Sequence, residues 1–185
     1  MAVIQPLPVD RKIRLGIVGC GGICRWAHVP FYRNEPRVEV VAVCDHLPER
    51  TAAIRADFPA ATAYADYRDL LARPDIDAID ICTPNDLHSE MAIAAFKAGK
   101  HVMCEKPDAV DPDKAQAMKA ASEAAGRCLM VMRNNRFVDA SQYANFVDVL
   151  YGLAEPCFLP QQGVDMIRIL TAIYESARSG AEVRL

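Results

Sequence analysis

The segment GIVGCGGICRW, residues 16–26, spaces small residues in a way that suits phosphate binding. Gly19, Gly21 and Cys24 occupy the three marked positions of G-x-G-x-x-G/A, although Cys24 is larger than the usual Gly or Ala. The first position allows a tight turn, the second lets the backbone approach a pyrophosphate, and the third must be small so that helix and strand pack closely. N–H groups at the helix start would then face a diphosphate. The segment predicts a dinucleotide site, with a purely structural turn as the alternative.

An acidic residue follows the next apolar run. Asp45 ends the run VEVVAVCD, 24 residues after Gly21. A carboxylate at that place accepts hydrogen bonds from the adenosine ribose hydroxyls. It favours NAD over NADP because it repels a 2'-phosphate, but His46 and Arg50 are close in sequence and could offset that repulsion. NAD is therefore the expected cofactor, and NADP stays open.

Two more motifs follow apolar runs, CTPNDLH at 82–88 and CEKP at 104–107. Both are predicted to end strands of one sheet. An open α/β sheet binds its ligands at the carboxyl ends of its strands. We therefore expect these polar side chains to lie on the same edge as the glycine segment.

The elements that must position these residues alternate along the chain. Runs that are apolar throughout, such as VVAVC and AIDIC, are typical of strands covered on both faces. Gly99 and Gly126 stand where helices would end, and Asp111 with Pro112 makes a good helix start. The pattern predicts an α/β fold with a doubly wound, mostly parallel sheet, the Rossmann dinucleotide-binding fold. The predicted strands are 12–19, 38–45, a short one within 61–71, 77–84, 100–107 and 128–132.

Composition excludes several classes of partner. The 185 residues carry a net charge of -3, which leaves no basic excess to hold nucleic acid. No window approaches the ~18 apolar residues of a membrane span, so we expect a cytoplasmic protein without a membrane partner. The seven cysteines include no CxxC pair, and neither a metal site nor a disulfide framework is predicted. Most of them are expected to be small buried residues rather than catalytic thiols.

The residues after Met132 have a helical character. They predict two amphipathic helices, 141–151 and 161–179, followed by the strand-like EVRL at 182–185. No set of alternating strands appears in this part of the chain.

Taken together, GIVGCGGI, VAVCD, CTPNDLH, AGKHVMCEKP and NNRF (134–137) resemble the Gfo/Idh/MocA family of NAD(P)-dependent oxidoreductases, which act on sugars and cyclitols. The resemblance covers residues 12–138 and resumes at 143–185, where the family's last helices return to pack on the nucleotide-binding domain. It implies a polyol or sugar substrate for an active protein. The implied cofactor contacts are Gly19, Cys20, Gly21, Gly22 and Ile23 at the pyrophosphate, Asp45 at the ribose, Thr83, Pro84, Asn85 and His88 near the nicotinamide half, and Glu105 and Lys106 where nicotinamide meets substrate.

The resemblance makes Lys106 the catalytic residue, with Pro107 setting its backbone. Its ammonium would polarise a substrate hydroxyl, stabilise the developing alkoxide and pass on a proton while hydride leaves the same carbon. An exposed lysine in a turn is the alternative.

Three other residues keep two interpretations each. His88 is either a pocket residue beside the nicotinamide or an early-helix histidine bonded to nearby backbone. Arg136, after Asn135, either faces a polyol or phosphate or anchors the chain. Trp26 is expected to pack rather than to stack on a ligand.

Family members carry a second α/β domain, with an Asp-and-His motif, between NNRF and the last helices. Here the two flanks are joined almost directly, so we expect residues 1–138 to form the Rossmann domain, 139–185 to complete it, and the substrate domain to be absent. Without a second wall the nicotinamide stays open to water, and catalysis is expected to be incomplete. A non-catalytic dinucleotide-binding module and a dehydrogenase completed by another chain are the alternatives. The former interdomain face predicts self-association into a homo-oligomer.

Overall fold

Six strands form one parallel sheet in the computed structural model, which describes residues 4–132 and 141–184. The strand order is β3-β2-β1-β4-β5-β6, and every neighbouring pair is parallel. The predicted doubly wound α/β fold is therefore confirmed. The strands are β1 (Ile13–Val18), β2 (Val38–Cys44), β3 (Thr62–Tyr64), β4 (Ala78–Ile81), β5 (His101–Cys104) and β6 (Leu129–Val131).

Helices connect the strands and follow the last one. Aspartates cap two of them: the side chain of Asp66 accepts from the N–H of Arg68, and that of Asp111 from the N–H of Lys114. Within the described residues, no helix has the length and apolarity needed to cross a bilayer. The helices are α1 (Val29–Asn34), α2 (Pro48–Arg55), α3 (Tyr67–Leu71), α4 (His88–Lys97), α5 (Pro112–Ala125), α6 (Ser141–Leu150) and α7 (Pro160–Ser179), with a π-helical turn at Cys24–His28 and a 3-10 turn at Asn85–Leu87.

The order of the strands creates a crevice. β1 lies between β2 and β4, so the chain leaves β1 toward one side of the sheet and returns to the other side for β4. Connections diverge at this switch point, at the carboxyl ends of the strands, and leave room for a ligand. Gly19, Asp45 and Thr83 all follow strands that end there.

Both faces of the sheet are covered by helices. On one face Ile13, Leu15 and Ile17 belong to the same buried cluster as Tyr143 and Phe146 of α6. On the other face the cluster includes Leu70, Phe96 and Met118 from α3, α4 and α5. Each large side chain buried in this way contributes about 1.5–3 kcal/mol. The prediction that the C-terminal helices pack on this domain is confirmed.

The last helix is only partly buried. Val164 and Ile167, in the first half of α7, are buried in a cluster with Ala109 and Ala115. From Met166 onward, the helix also presents apolar side chains to solvent at helical spacing. These are Met166, Ile169, Leu170, Ile173 and Tyr174, which are 41–75% exposed.

The expectation of a strand at EVRL is wrong for residues 182–184, which have no regular structure. Gly180 ends α7 with φ 69°, and Glu182 and Val183 then lie beside Ile169 and Ile173 of that helix. A strand needs the backbone of a neighbouring strand for its hydrogen bonds, and α7 offers none.

The expectation that Trp26 packs is also wrong, because its side chain is 83% exposed. Cys24 and His28, four residues apart, both point into the core. Trp26 lies midway between them in sequence, so its side chain leaves the opposite face of the turn.

Candidate functional site

Gly19 makes the turn that follows β1. Its φ is 94°, and a Cβ there would lie 2.6–2.8 Å from backbone atoms of Cys82 and Thr83. Its own N–H donates to the carbonyl of Cys44 at 2.8 Å. Both the dihedral angle and the close approach to a neighbouring strand end require glycine at this position.

Gly21 and Gly22 have a different environment. A Cβ at either position would meet no heavy atom of the described residues within 4 Å. Packing inside the protein therefore does not demand glycine at these two positions. Their backbone is open on the outer side, as close approach by a pyrophosphate requires.

Cys24 fills the space between the first helical turn and the sheet. It is completely buried and belongs to the core cluster around Ile17 and Cys82. A small side chain at the third motif position therefore has the packing role that the spacing predicts.

Asp45 holds the glycine loop from the end of β2. Its Oδ2 accepts from the N–H of Cys20 at 2.9 Å, and its Oδ1 from the N–H of Leu47 at 3.0 Å. His46 Nδ1 lies 3.2 Å from Oδ1, and Arg50 Nη1 lies 3.7 Å from Oδ2. The carboxylate is thus fixed in position and has cationic neighbours on its exposed side.

A cavity of about 390 Å³ opens beside the loop. Five of the predicted cofactor residues line it: Gly19, Gly21, Asp45, Thr83 and Pro84. The lining does not include the other seven predicted residues, which are Cys20, Gly22, Ile23, Asn85, His88, Glu105 and Lys106.

The wall opposite the loop was missed by the sequence analysis. Tyr67, Arg68 and Met91 line the cavity, and the guanidinium carbon of Arg68 lies 4.6 Å from the centre of the Tyr67 ring. The position of Tyr67 and Arg68 just after β3 could have indicated them, because every strand of a parallel sheet ends at this edge.

His88 is buried, and both of its ring nitrogens lie near backbone carbonyls. Nδ1 is 2.7 Å from the oxygen of Pro107, and Nε2 is 2.9 Å from that of Thr83. This geometry matches the second interpretation, a histidine bonded to nearby backbone. The ring joins the loops that follow β4 and β5, whereas Asn85, in the 3-10 turn, is exposed.

Glu105 and Lys106 follow β5 and point in different directions. The carboxylate of Glu105 is buried, and its Oε2 accepts from the N–H of Lys106 at 3.1 Å. The side chain of Lys106 is exposed at the edge of the sheet, and the peptide bond to Pro107 is cis. An ammonium in this position is accessible to a ligand.

A buried group of polar side chains lies behind Glu105, and the sequence analysis missed it too. His28 Nδ1 lies 2.7 Å from Asp80 Oδ2, and His28 Nε2 lies 2.9 Å from Glu105 Oε1. The Tyr32 hydroxyl donates to the same Asp80 oxygen at 2.9 Å. No short sequence motif connects these residues, because 52 and 77 positions separate His28 from its two carboxylates.

The pKa values follow from this arrangement. Burial lowers the pKa of His28, but Asp80 and Glu105 together raise it to about 10. Burial raises the pKa of Glu105, but His28 and the neighbouring Lys106 bring it below its ordinary value. The histidine is therefore an imidazolium held between two carboxylates.

His28, Asp80 and Cys82 also bring three potential metal-binding atoms within 4.8 Å of one another. Both ring nitrogens of His28 already bond carboxylates. The expectation of no metal site stays a prediction. Asn135 and Arg136, also singled out in the sequence, lie outside the described residues.

Known proteins match the part of the chain that contains the glycine loop and the sheet. The model of the family described as "Oxidoreductase family, NAD-binding Rossmann fold" (GFO_IDH_MocA) matches residues 13–133. D-glucoside 3-dehydrogenase of Escherichia coli K12 is 32% identical over 125 residues, which cover 68% of this chain and 36% of that protein. A 1-carboxy-3-chloro-3,4-dihydroxycyclohexa-1,5-diene dehydrogenase of Comamonas testosteroni is 32% identical over 157 residues, or 75% of this chain and 39% of that protein.

Two solved structures are similar in fold. The WlbA dehydrogenase of Bordetella pertussis, in complex with NADH and UDP-GlcNAcA, matches with a TM-score of 0.66 and 35% identity over 79% of this chain and 42% of that one. KijD10, a 3-ketoreductase of Actinomadura kijaniata in complex with NADP and TDP-benzene, matches with a TM-score of 0.63 and 31% identity over 75% and 43%. The chain thus spans between 36% and 43% of the length of these four relatives.

Proposed function

This chain belongs to the Gfo/Idh/MocA oxidoreductase family, and from that premise we propose that it binds NAD in the crevice beside the glycine loop, with NADP as the less favoured ligand. The residues present fit a dinucleotide. The open backbone at Gly21 and Gly22 suits the pyrophosphate. The observation that carries the proposal is the Asp45 carboxylate, which is fixed by the N–H groups of Cys20 and Leu47 at the wall of a 390 Å³ cavity.

Asp45 is proposed to bind the hydroxyls of the adenosine ribose. A carboxylate oxygen accepts more than one hydrogen bond, so each oxygen that already bonds a backbone N–H still offers a lone pair. The same negative charge disfavours a 2'-phosphate. Arg50, 3.7 Å from Oδ2, weakens that discrimination, so we expect NAD to be preferred over NADP by a modest factor.

The nicotinamide end of the cofactor is proposed to lie near Glu105 and Lys106. The bound nicotinamide supplies the acceptor or donor of hydride. Lys106, exposed at the end of β5, would donate a hydrogen bond to a substrate oxygen and exchange a proton with it. Thr83, Pro84 and Asn85 would border the cofactor, and His88 would support their loop through the carbonyls of Thr83 and Pro107.

A polyol or sugar is the proposed substrate class. The relative from Escherichia coli is named for a glucoside, and the one from Actinomadura is a 3-ketoreductase. The described residues leave Lys106 exposed, and it is not part of the lining of the cavity. We therefore expect these residues alone to catalyse hydride transfer slowly, because a substrate held on one side is poorly positioned and open to water.

The division of the chain stays a proposal, with residues 1–138 as the nucleotide-binding part and 139–185 completing the same domain. Seven cysteines without a disulfide among the described residues fit a reducing compartment such as the cytoplasm. The apolar stripe on α7 favours a second candidate function, a non-catalytic dinucleotide-binding module that docks through this helix. Self-association into a homo-oligomer would use the same stripe.

Titration of the chain with NADH, followed by cofactor fluorescence, tests the proposal. We expect saturable binding, and a loss of about 10- to 100-fold in affinity in Asp45→Ala, because hydrogen bonds to a charged group disappear. Asp57→Ala, which changes a surface carboxylate paired with Arg33, is the matched control and should bind as the wild type does. No saturation of the wild type at millimolar NADH would contradict the proposal.

A further inference from the structure

The bonds around His28 require a specific form of the ring. Asp80 and Glu105 each place a carboxylate oxygen within hydrogen-bond distance of one ring nitrogen. A neutral imidazole carries one N–H and can satisfy only one of them, whereas the imidazolium donates to both. Hydrogen bonds between charged partners are roughly twice as strong as neutral ones. His28 therefore bridges the two carboxylates rather than choosing between them.

This bridge orients Glu105 completely. His28 holds Oε1, and the N–H of Lys106 donates to Oε2 at 3.1 Å. Both oxygens of one buried carboxylate are thus fixed, the first by a distant side chain and the second by the next residue's backbone. The orientation of His28 is transmitted through Glu105 to the backbone of Lys106.

The other end of the bridge lies beside the glycine loop. His28 closes the π-helical turn that begins at Cys24, the third position of the glycine motif. Its ring meets the edge of Tyr143 of α6, with 5.0 Å between ring centres and 83° between planes. The network therefore connects the helix behind the pyrophosphate site to the residue proposed for chemistry, and α6 shields it from water.

We propose that His28 is a positioning residue for the nicotinamide half of the site, because it holds Glu105, and through it the backbone of Lys106, in a fixed place relative to the glycine loop. The inference rests on the proposed function, since it assumes a dinucleotide in this crevice. The adenosine half is attached to Asp45 and is independent of His28. A substitution at His28 should therefore weaken the binding of the nicotinamide half and leave the binding of the adenosine half unchanged.

Two ligands separate the halves: NADH, and ADP-ribose, which lacks the nicotinamide. Their dissociation constants are measured by calorimetry on the wild type, His28→Asn and His28→Gln. The Asn amide reaches Asp80 and is too short for Glu105, whereas the Gln amide reaches as far as Nε2 does. We expect His28→Asn to raise the dissociation constant of NADH by ~5- to 20-fold, because one charge-assisted hydrogen bond is lost, and that of ADP-ribose by less than ~2-fold. His28→Gln should recover most of the loss.

Further variants keep the test decisive. Glu105→Gln breaks the bridge from the other side and should give the same selective loss if His28→Asn does not fold. Tyr32→Phe removes a different bond to Asp80 and should change neither ligand selectively. Equal weakening of both ligands in His28→Asn and in Glu105→Gln would overturn the proposal, as would equal affinity of the wild type for the two ligands. Binding of neither ligand by the wild type would instead refute the proposed function itself.

Discussion

The two ends of the crevice are built by different means. At the ends of β1 and β2, the structure depends on backbone conformation: a left-handed glycine and one carboxylate that accepts two backbone N–H groups. At the ends of β4 and β5, it depends on charged side chains from three distant elements, which are buried around His28. The first end is built mainly from backbone groups at the adjacent ends of three strands. The second end can position Lys106 only when the whole fold is in place.

The largest expected effect is on the free energy of unfolding, which should fall more for a variant at the β4 and β5 end of the crevice than for one at the β1 and β2 end. Asp80→Ala leaves two buried donors, the Nδ1–H of His28 and the hydroxyl of Tyr32, without their acceptor, and we expect it to lower the free energy of unfolding by about 3–5 kcal/mol. Asp45→Ala removes the acceptor of the N–H groups of Cys20 and Leu47 at the wall of an open cavity and should cost only about 1–2 kcal/mol. Urea unfolding of both variants measures the difference. Equal losses would show that the two ends do not differ as described.

Gly19→Ala tests the end of the crevice at β1 and β2. Its effect on the free energy of unfolding should be somewhat smaller. The new Cβ would approach Cys82 and Thr83 backbone atoms to 2.6–2.8 Å at a positive φ, so we expect a loss of about 2–4 kcal/mol and no detectable NADH binding. Gly22→Ala is the control, because its Cβ would meet nothing within 4 Å. If Gly19→Ala unfolds at the same urea concentration as Gly22→Ala, the turn does not need glycine.

The buried charges around His28 should make the free energy of unfolding depend on pH. The pKa of His28 is raised to about 10 in the folded chain, against about 6.5 when unfolded. The folded chain therefore keeps a proton that the unfolded chain loses, and the stabilisation is complete below about pH 6.5 and declines as the pH rises toward about 10. Between about pH 7 and about pH 8 this contribution should fall by about 1.4 kcal/mol per pH unit.

His28→Asn is the control for this slope, because buried thiols also begin to contribute as the pH rises. His101 contributes in the opposite direction. Burial lowers its pKa to about 4, so its contribution rises with pH and is complete above about pH 7, outside the interval measured. Unfolding curves at several pH values give both slopes. If the free energy of unfolding changes with pH equally in the wild type and in His28→Asn, His28 is not an imidazolium in the folded chain.

The same contrast explains what could be predicted from the sequence. Gly19, Gly21 and Asp45 act through local backbone geometry, so their spacing predicts both the turn and the acid. Five of the six strands were predicted for a similar reason, since a buried parallel strand is a continuous apolar run, whereas β3 is short and mostly exposed. His28, Asp80 and Glu105 belong together only after β1, β4 and β5 have assembled, and no spacing along the chain shows this.

Predictions that depended on an element's surroundings had mixed outcomes. EVRL has the composition of a strand, but Glu182 and Val183 lie beside α7 instead of beside a strand of the sheet. Trp26 is a large aromatic residue, and its place midway between the buried Cys24 and His28 directs its side chain to solvent. The packing of the C-terminal helices on the domain was predicted from the family resemblance, and α6 covers one face of the sheet.

A crystal structure of the chain grown with NADH tests the central claim most directly, since it shows both ends at once. We expect the diphosphate at the N–H groups of residues 21–23, the adenosine ribose on Asp45, and the nicotinamide ring beside Glu105 and Lys106. A cofactor seated elsewhere, or a crevice without cofactor at saturating NADH, would contradict the assignment of this edge as the dinucleotide site.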